Sequence, residues 1–158
     1  MKTIGLMGGS FNPAHKGHRA ISLFAMDSLG LDAYWWMVSP GNPLKPQSDM
    51  APLPARMASA KAQAKRTPIK VTAIEQALGT VYTAETLKKL VARYPKTQFI
   101  WIMGADNLLQ FHHWRRWHDI ARLMPIAVIA RPSYNPQVVA GPAMAWFRRF
   151  VRRSDQRH

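Results

Sequence analysis

Thr3-Ile4-Gly5-Leu6-Met7-Gly8-Gly9-Ser10-Phe11-Asn12-Pro13-Ala14-His15-Lys16-Gly17-His18 is the stretch on which the architecture turns. Ile4 to Met7 is an unbroken apolar run, the pattern of a strand buried on both faces. A glycine pair follows, then two histidines three residues apart, then a helical pattern from His18 to Leu29. Glycines let backbone N–H groups approach an anion with no Cβ in the way. A helix start aims unpaired N–H groups and a positive dipole end into the same space. Strand, glycine turn, histidines and helix therefore read as a phosphate-handling arrangement. Gly17 stands where Ser or Asp would normally cap the helix, which predicts a start whose N–H groups are left for a ligand.

The same alternation runs outward along the chain. Apolar, β-rich runs recur at Ala33–Ser39, Ile69–Ala73, Gln98–Met103 and Ile126–Ala130. Helical patterns lie between them at Leu53–Lys65, Ala84–Tyr94 and, as a pair, Asn107–Leu123. This predicts an α/β fold: a Rossmann-like parallel sheet of about five strands with helices on both faces. Right-handed crossovers then bring the loops after Met7, Val38 and Met103 to one sheet edge, where open α/β sheets bind ligands. Thr83 is expected to cap the helix that contains Glu85. Residues Ala143–Arg153 read as a two-faced helix, with Trp146, Phe147, Phe150 and Val151 opposite Arg148, Arg149, Arg152 and Arg153.

Composition fits one folded domain over residues 1–158, 47% apolar and without cysteine, which excludes thiolate metal sites and a disulfide framework. No apolar run reaches the roughly 18 residues of a membrane span, and the first residues lead directly into a strand, so a cytoplasmic setting without membrane contact is expected. Lys and Arg number 22 against 8 Asp and Glu, a formal charge of +14. Such a field attracts polyanions generally; here it is taken as solvated surface that draws phosphorylated substrates, not as a nucleic-acid interface. A zinc site built from His15, His18, His112, His113 and His118 is disfavoured, because His112 and His113 are adjacent and point to different helix faces.

Gly9 to His18 reads G-x-F-x-P-x-H-x-G-H. No Gly-Lys-Ser/Thr follows, so it is not a Walker loop, and the glycine spacing is not the dinucleotide fingerprint. It resembles the HxGH nucleotidylyltransferase superfamily. Ser39-Pro40-Gly41-Asn42-Pro43-Leu44-Lys45 is similar to the P-x-x-x-P-x-K loop of its nicotinate mononucleotide adenylyltransferases. Tyr82-Thr83-Ala84-Glu85-Thr86-Leu87 and Gly104-Ala105-Asp106, with Phe111 to Trp114 beyond, resemble further stretches of that family. The resemblance implies transfer of the adenylyl group of ATP to nicotinate mononucleotide, with Mg²⁺ carried on the nucleotide phosphates and no metal held by the protein. It implies catalytic roles for His15, His18 and Lys45. On the ATP side it points to Gly8, Gly9, Ser10, Phe11, Gly17, His18, Gly104, Asp106 and Arg131. On the acceptor side it points to Lys45, Thr83, Thr86 and Trp114, whose indole would stack on the pyridine ring. Trp101 and Trp117 are assigned to the core.

The family's final strand and its I-S-x-T-x-x-R helix start are not read in this sequence, so the C-terminal part is expected to be incomplete relative to the family. A phosphopantetheine adenylyltransferase is the alternative in chemistry. An inactive, basic nucleotide- or nucleic-acid-binding protein is the alternative of another class.

Overall fold

A computed structural model of the protein describes residues 1–40, 50–80, 82–104, 117–130 and 151–153. Strand β1 (Lys2–Gly9) is followed by helix α1 (Lys16–Leu29), β2 (Ala33–Val38), α2 (Leu53–Gln63) and β3 (Ile69–Thr72). Two helices come next, α3 (Ile74–Leu78) and α4 (Thr83–Arg93), then β4 (Thr97–Gly104), α5 (Trp117–Leu123), β5 (Ile126–Ala130) and β6 (Val151–Arg153). The strands form one sheet in the order β3-β2-β1-β4-β5-β6. Every pairing is parallel, with Leu6 of β1 set between Trp35 of β2 and Trp101 of β4.

That order reverses between β1 and β4, so the crevice expected of a doubly wound sheet opens beyond Gly9 and Gly104. All strand C-termini lie on that edge because all strands run the same way. The two faces are covered by different helices. On one, Met7, Tyr34, Trp36, Val38, Ile102 and Ile129 pack with Ala25 of α1 and Ala60 of α2. On the other, Leu6, Met37, Phe99, Trp101 and Val128 pack with Leu87 and Leu90 of α4 and Ile120 of α5. Burial of these side chains, at roughly 25 cal/mol per Å² of apolar surface, is the main force holding helices to sheet.

Two local expectations are corrected, and one helix is added. Val151–Arg153 forms a sixth strand, not the end of a helix; Val151, Arg152 and Arg153 are in register with Val128, Ile129 and Ala130. Main-chain pairing to an open sheet edge outweighs the local two-faced pattern there, and the sheet has six strands where about five were predicted. Helix α4 starts after Tyr82, with Thr83 as its first residue and no side-chain cap. Helix α3, five residues ending at Gly79 in the left-handed region (φ 67°), was not anticipated, because so short an element carries no helical period.

Gly8 has a packing reason. A Cβ placed on it would lie 2.6 Å from Cη2 of Trp101, a fully buried ring. The missing side chain thus makes room for the core, on the face lined by α4 and α5. Gly8→Ala is expected to lower stability by about 1–3 kcal/mol, the range for overpacking a filled core. Urea unfolding measures this, and an unchanged midpoint would show that the ring shifts without cost.

Candidate active site

Beyond β1 the chain turns sharply. Phe11 takes φ 49°, a left-handed conformation that costs a side-chain-bearing residue of order 1 kcal/mol or more, and the Asn12–Pro13 bond is cis. The turn delivers His15 to the mouth of α1, where it is the N-cap. Its Nδ1 accepts from the Gly17 N–H at 3.0 Å, and His18 Nδ1 accepts from the His15 N–H at 3.1 Å. This is a capping box built from two histidines in place of Ser and Glu. The expectation of an uncapped helix start is therefore corrected: Gly17 is inside the helix and its N–H is already bonded to protein.

The reciprocal bonds have a chemical consequence. A neutral imidazole that accepts through Nδ1 carries its proton on Nε2. Both rings thus present an Nε2–H donor away from the backbone they cap. Their centroids are 3.9 Å apart, His15 is exposed and His18 is half-buried. The pair is supported from beneath. His18 lies 4.6 Å from the buried Phe11 ring, which stacks on Trp36 at 5.1 Å. Trp36 Nε1 donates to Ser22 Oγ at 2.8 Å, and Ser22 donates to the His18 carbonyl at 2.7 Å. The His18 turn is therefore tied both to a ring stack and to β2.

Helix α2 backs the same loop. The Ala14 N–H donates to Ser59 Oγ at 3.2 Å, and the Ala51 N–H to Asn12 Oδ1 at 3.1 Å. Arg56, only 3% exposed, donates to the carbonyls of Ser10 and Ser39 at 2.9 and 2.6 Å. Sequence reading missed this residue. Its signal was its place among Leu53, Met57 and Ala60, a charged residue at a position where the helical period calls for an apolar one. Burial without a carboxylate partner among its described contacts pulls its pKa below the ordinary arginine value.

On the other flank, Thr83 is half-buried at the first position of α4. Thr86 is fully buried: its hydroxyl shares a 2.6 Å bond with Thr80 and donates to the Tyr82 carbonyl at 3.2 Å. Thr86 thus fixes the turn before α4 from inside. Glu75, also unanticipated, is 4% exposed. Burial pushes its carboxyl up to about 7, and a hydrogen bond with Ser39 opposes that shift.

The structure brings Gly8, Gly9, Ser10, Phe11, His15, Gly17, His18 and Gly104 to the crevice edge of β1 and β4, with Thr83 and Thr86 in the first turn of α4. Lys45, Asp106, Trp114 and Arg131 lie outside the described residues, as do His112 and His113. Trp101 is 1% exposed, in the core as assigned. Among the described residues no three His, Asp or Glu side chains cluster to hold a metal ion, and no helix is long and apolar enough to cross a membrane.

The chain, with its parallel sheet in this order and a histidine-capped helix at the reversal point, matches over residues 6–155 the model of the family described as Cytidylyltransferase-like. A protein of Erythrobacter litoralis named "Probable nicotinate-nucleotide adenylyltransferase" is 62% identical over 144 residues, which are 91% of this chain and 66% of that one. One of the same name from Roseobacter denitrificans is 53% identical over 148 residues, 94% of this chain and 74% of that one. The chain belongs to the nicotinate-nucleotide adenylyltransferase family. It spans about two thirds to three quarters of the length of these relatives. The solved Plasmodium falciparum nicotinic acid mononucleotide adenylyltransferase complexed with NaAD has the same fold, with a TM-score of 0.74 at 15% identity over 97% of this chain and 74% of that one.

Proposed function

We propose that the chain transfers the adenylyl group of ATP to nicotinate mononucleotide, releasing pyrophosphate and forming deamido-NAD for NAD biosynthesis. A phosphate oxygen of the acceptor attacks the α-phosphorus of ATP, and the bond from that phosphorus to the bridging oxygen of the β-phosphate breaks. No side chain forms a covalent intermediate. ATP enters as its magnesium complex, and the ion, riding on the phosphates, offsets part of their charge. The protein supplies position and fixed donors.

In this reading His15 and His18 aim their Nε2–H groups at the triphosphate, where negative charge shifts toward the leaving pyrophosphate. Lys45 brings a cation to the same phosphates and to the acceptor. Gly8, Gly9, Ser10, Phe11 and Gly17 shape the ATP-side turn. Gly104, Asp106 and Arg131 serve the adenosine end. Trp114 stacks on the pyridine ring, and the start of α4, with Thr83 in its first turn and Thr86 behind it, receives the pyridine carboxylate. That helix start has no side-chain cap, which suits an anionic ligand there. A cytoplasmic setting goes with this pair of soluble substrates.

The observation that carries the reading is the His15–His18 lock, which fixes the orientation of both imidazoles at the sheet's reversal point. The test is pyrophosphate release from ATP and Mg²⁺ with nicotinate mononucleotide, nicotinamide mononucleotide or phosphopantetheine as acceptor. Release is expected with nicotinate mononucleotide. Release with phosphopantetheine alone, or with no acceptor at all, overturns the assignment.

A further inference from the structure

Ser39, the residue directly after β2, has each of its three polar groups committed to a different element. Its N–H donates to the Gly9 carbonyl of β1 at 2.8 Å. Its carbonyl accepts from Arg56 Nη1 of α2 at 2.6 Å, and its side chain lies beside the Glu75 carboxyl of α3, where it favours the ionised form. Arg56 and Glu75 are buried, where a polar group left without partners is costly.

From these two residues the hydrogen bonds continue in both directions. Arg56 Nη1 also donates to the Ser10 carbonyl at 2.9 Å, and Nε donates to the Ala51 carbonyl at 2.8 Å. The Glu75 carbonyl accepts from the Thr80 N–H at 3.0 Å. Thr80 then shares its 2.6 Å bond with Thr86. A run of neighbouring polar groups thus leads from Ser10, in the loop ahead of His15, to Thr86, behind the turn into α4. Only a guanidinium, with its rigid fork of donors, reaches carbonyls of three segments at once; an ammonium is a point donor.

We propose that Arg56 and Glu75 are positioning residues that act through Ser39 to hold the ATP-side loop and the acceptor-side turn in one fixed relation. The inference rests on the adenylyl-transfer reading. In that reaction the attacking oxygen and the α-phosphorus must meet within about 3–3.5 Å, yet they are held by different loops. Neither residue touches substrate. Each sets the geometry between groups that do.

The variants Arg56→Lys, Glu75→Ala and Glu75→Gln separate this role from a local one. Amide hydrogen exchange is followed in Ser10–Asn12 and in Thr80–Leu87, beside kcat and both KM values. Arg56→Lys is expected to speed exchange in Thr80–Leu87, a segment it does not contact, and Glu75→Ala to speed it in Ser10–Asn12. Both should lower kcat by about 10²-fold, the cost of roughly 1 Å of misplacement, with smaller changes in KM. Glu75→Gln keeps the hydrogen bond to Ser39 and should recover most of what Glu75→Ala loses. Exchange that rises only in each residue's own contact segment, or a Gln variant no better than Ala, overturns the proposal. Exchange is read without turnover, so a chain that proved inactive with every acceptor would refute the adenylyl-transfer reading while the coupling was still judged.

Discussion

His18→Asn lowers turnover by on the order of 10²-fold or more while leaving the unfolding temperature within a few degrees of the parent. The asparagine side chain can place its carbonyl oxygen near the position of Nδ1, so it can still accept the His15 N–H bond of 3.1 Å. What it cannot supply is a donor at the Nε2 position. The helix cap is therefore kept and the transition-state contact is lost. His18→Leu removes both, so it should add a stability loss of about 1 kcal/mol, the usual cost of a deleted cap. A pyrophosphate-release assay gives the rate and thermal unfolding gives the cap. An Asn variant as fast as the parent would show that Nε2 does not serve the reaction. An Asn variant as unstable as Leu would show that the reciprocal bond is not what fixes the ring. A spectroscopic readout stands beside these. In ¹⁵N NMR both imidazoles should show Nδ1 as the unprotonated and Nε2 as the protonated nitrogen, before any substrate is added.

The parts of this site that were legible in sequence are those whose signal is local and repeated. Ile4–Met7, Ala33–Ser39 and Gln98–Met103 are short apolar runs between helical patterns, and one rule, a parallel sheet with right-handed crossovers, sends all their loops to one edge. The cap of α1 was within reach but was missed. His15-x-x-His18 has the spacing of Ser-x-x-Glu, and an imidazole Nδ1 can accept as a hydroxyl or carboxylate does. Arg56 announced itself only as a charge on the buried stripe of α2, and nothing in the sequence says which carbonyls it reaches. Glu75 sits in a five-residue helix without a period, so its burial follows from packing between α4 and the sheet and has no local trace. Val151–Arg153 is a strand through main-chain pairing with β5, a long-range contact that a pattern of arginines and aromatics cannot reveal. The general division is between chemistry carried by residue type at fixed spacing, which reads directly, and buried polar contacts across distant segments, which do not.

Glu75 supplies the second large effect, on stability as a function of pH. Folded, its carboxyl is pushed up to about 7 by burial, with the Ser39 bond pulling weakly the other way; its ordinary value is 4.5. Below pH 4.5 the group is neutral in both the folded and unfolded chain and favours neither. Between pH 4.5 and 7 the unfolded chain has released the proton and the folded chain still holds it. The folded state then binds more protons than the unfolded one, so stability falls as pH rises through this window. Above pH 7 the loss is complete. At 1.36 kcal/mol per unit of displaced pKa it amounts to on the order of 3 kcal/mol, about a hundredfold in the folding equilibrium. Glu75→Gln has no proton to lose, keeps an amide that can bond Ser39, and should show this fall flattened, so that it is the more stable chain at pH 8 and close to the parent at pH 4.5. Urea unfolding at several pH values from 4.5 to 8 makes the comparison, since slopes from all other titrating groups are common to both chains. Parallel curves for parent and Gln would mean that Glu75 is already ionised in the fold across this range.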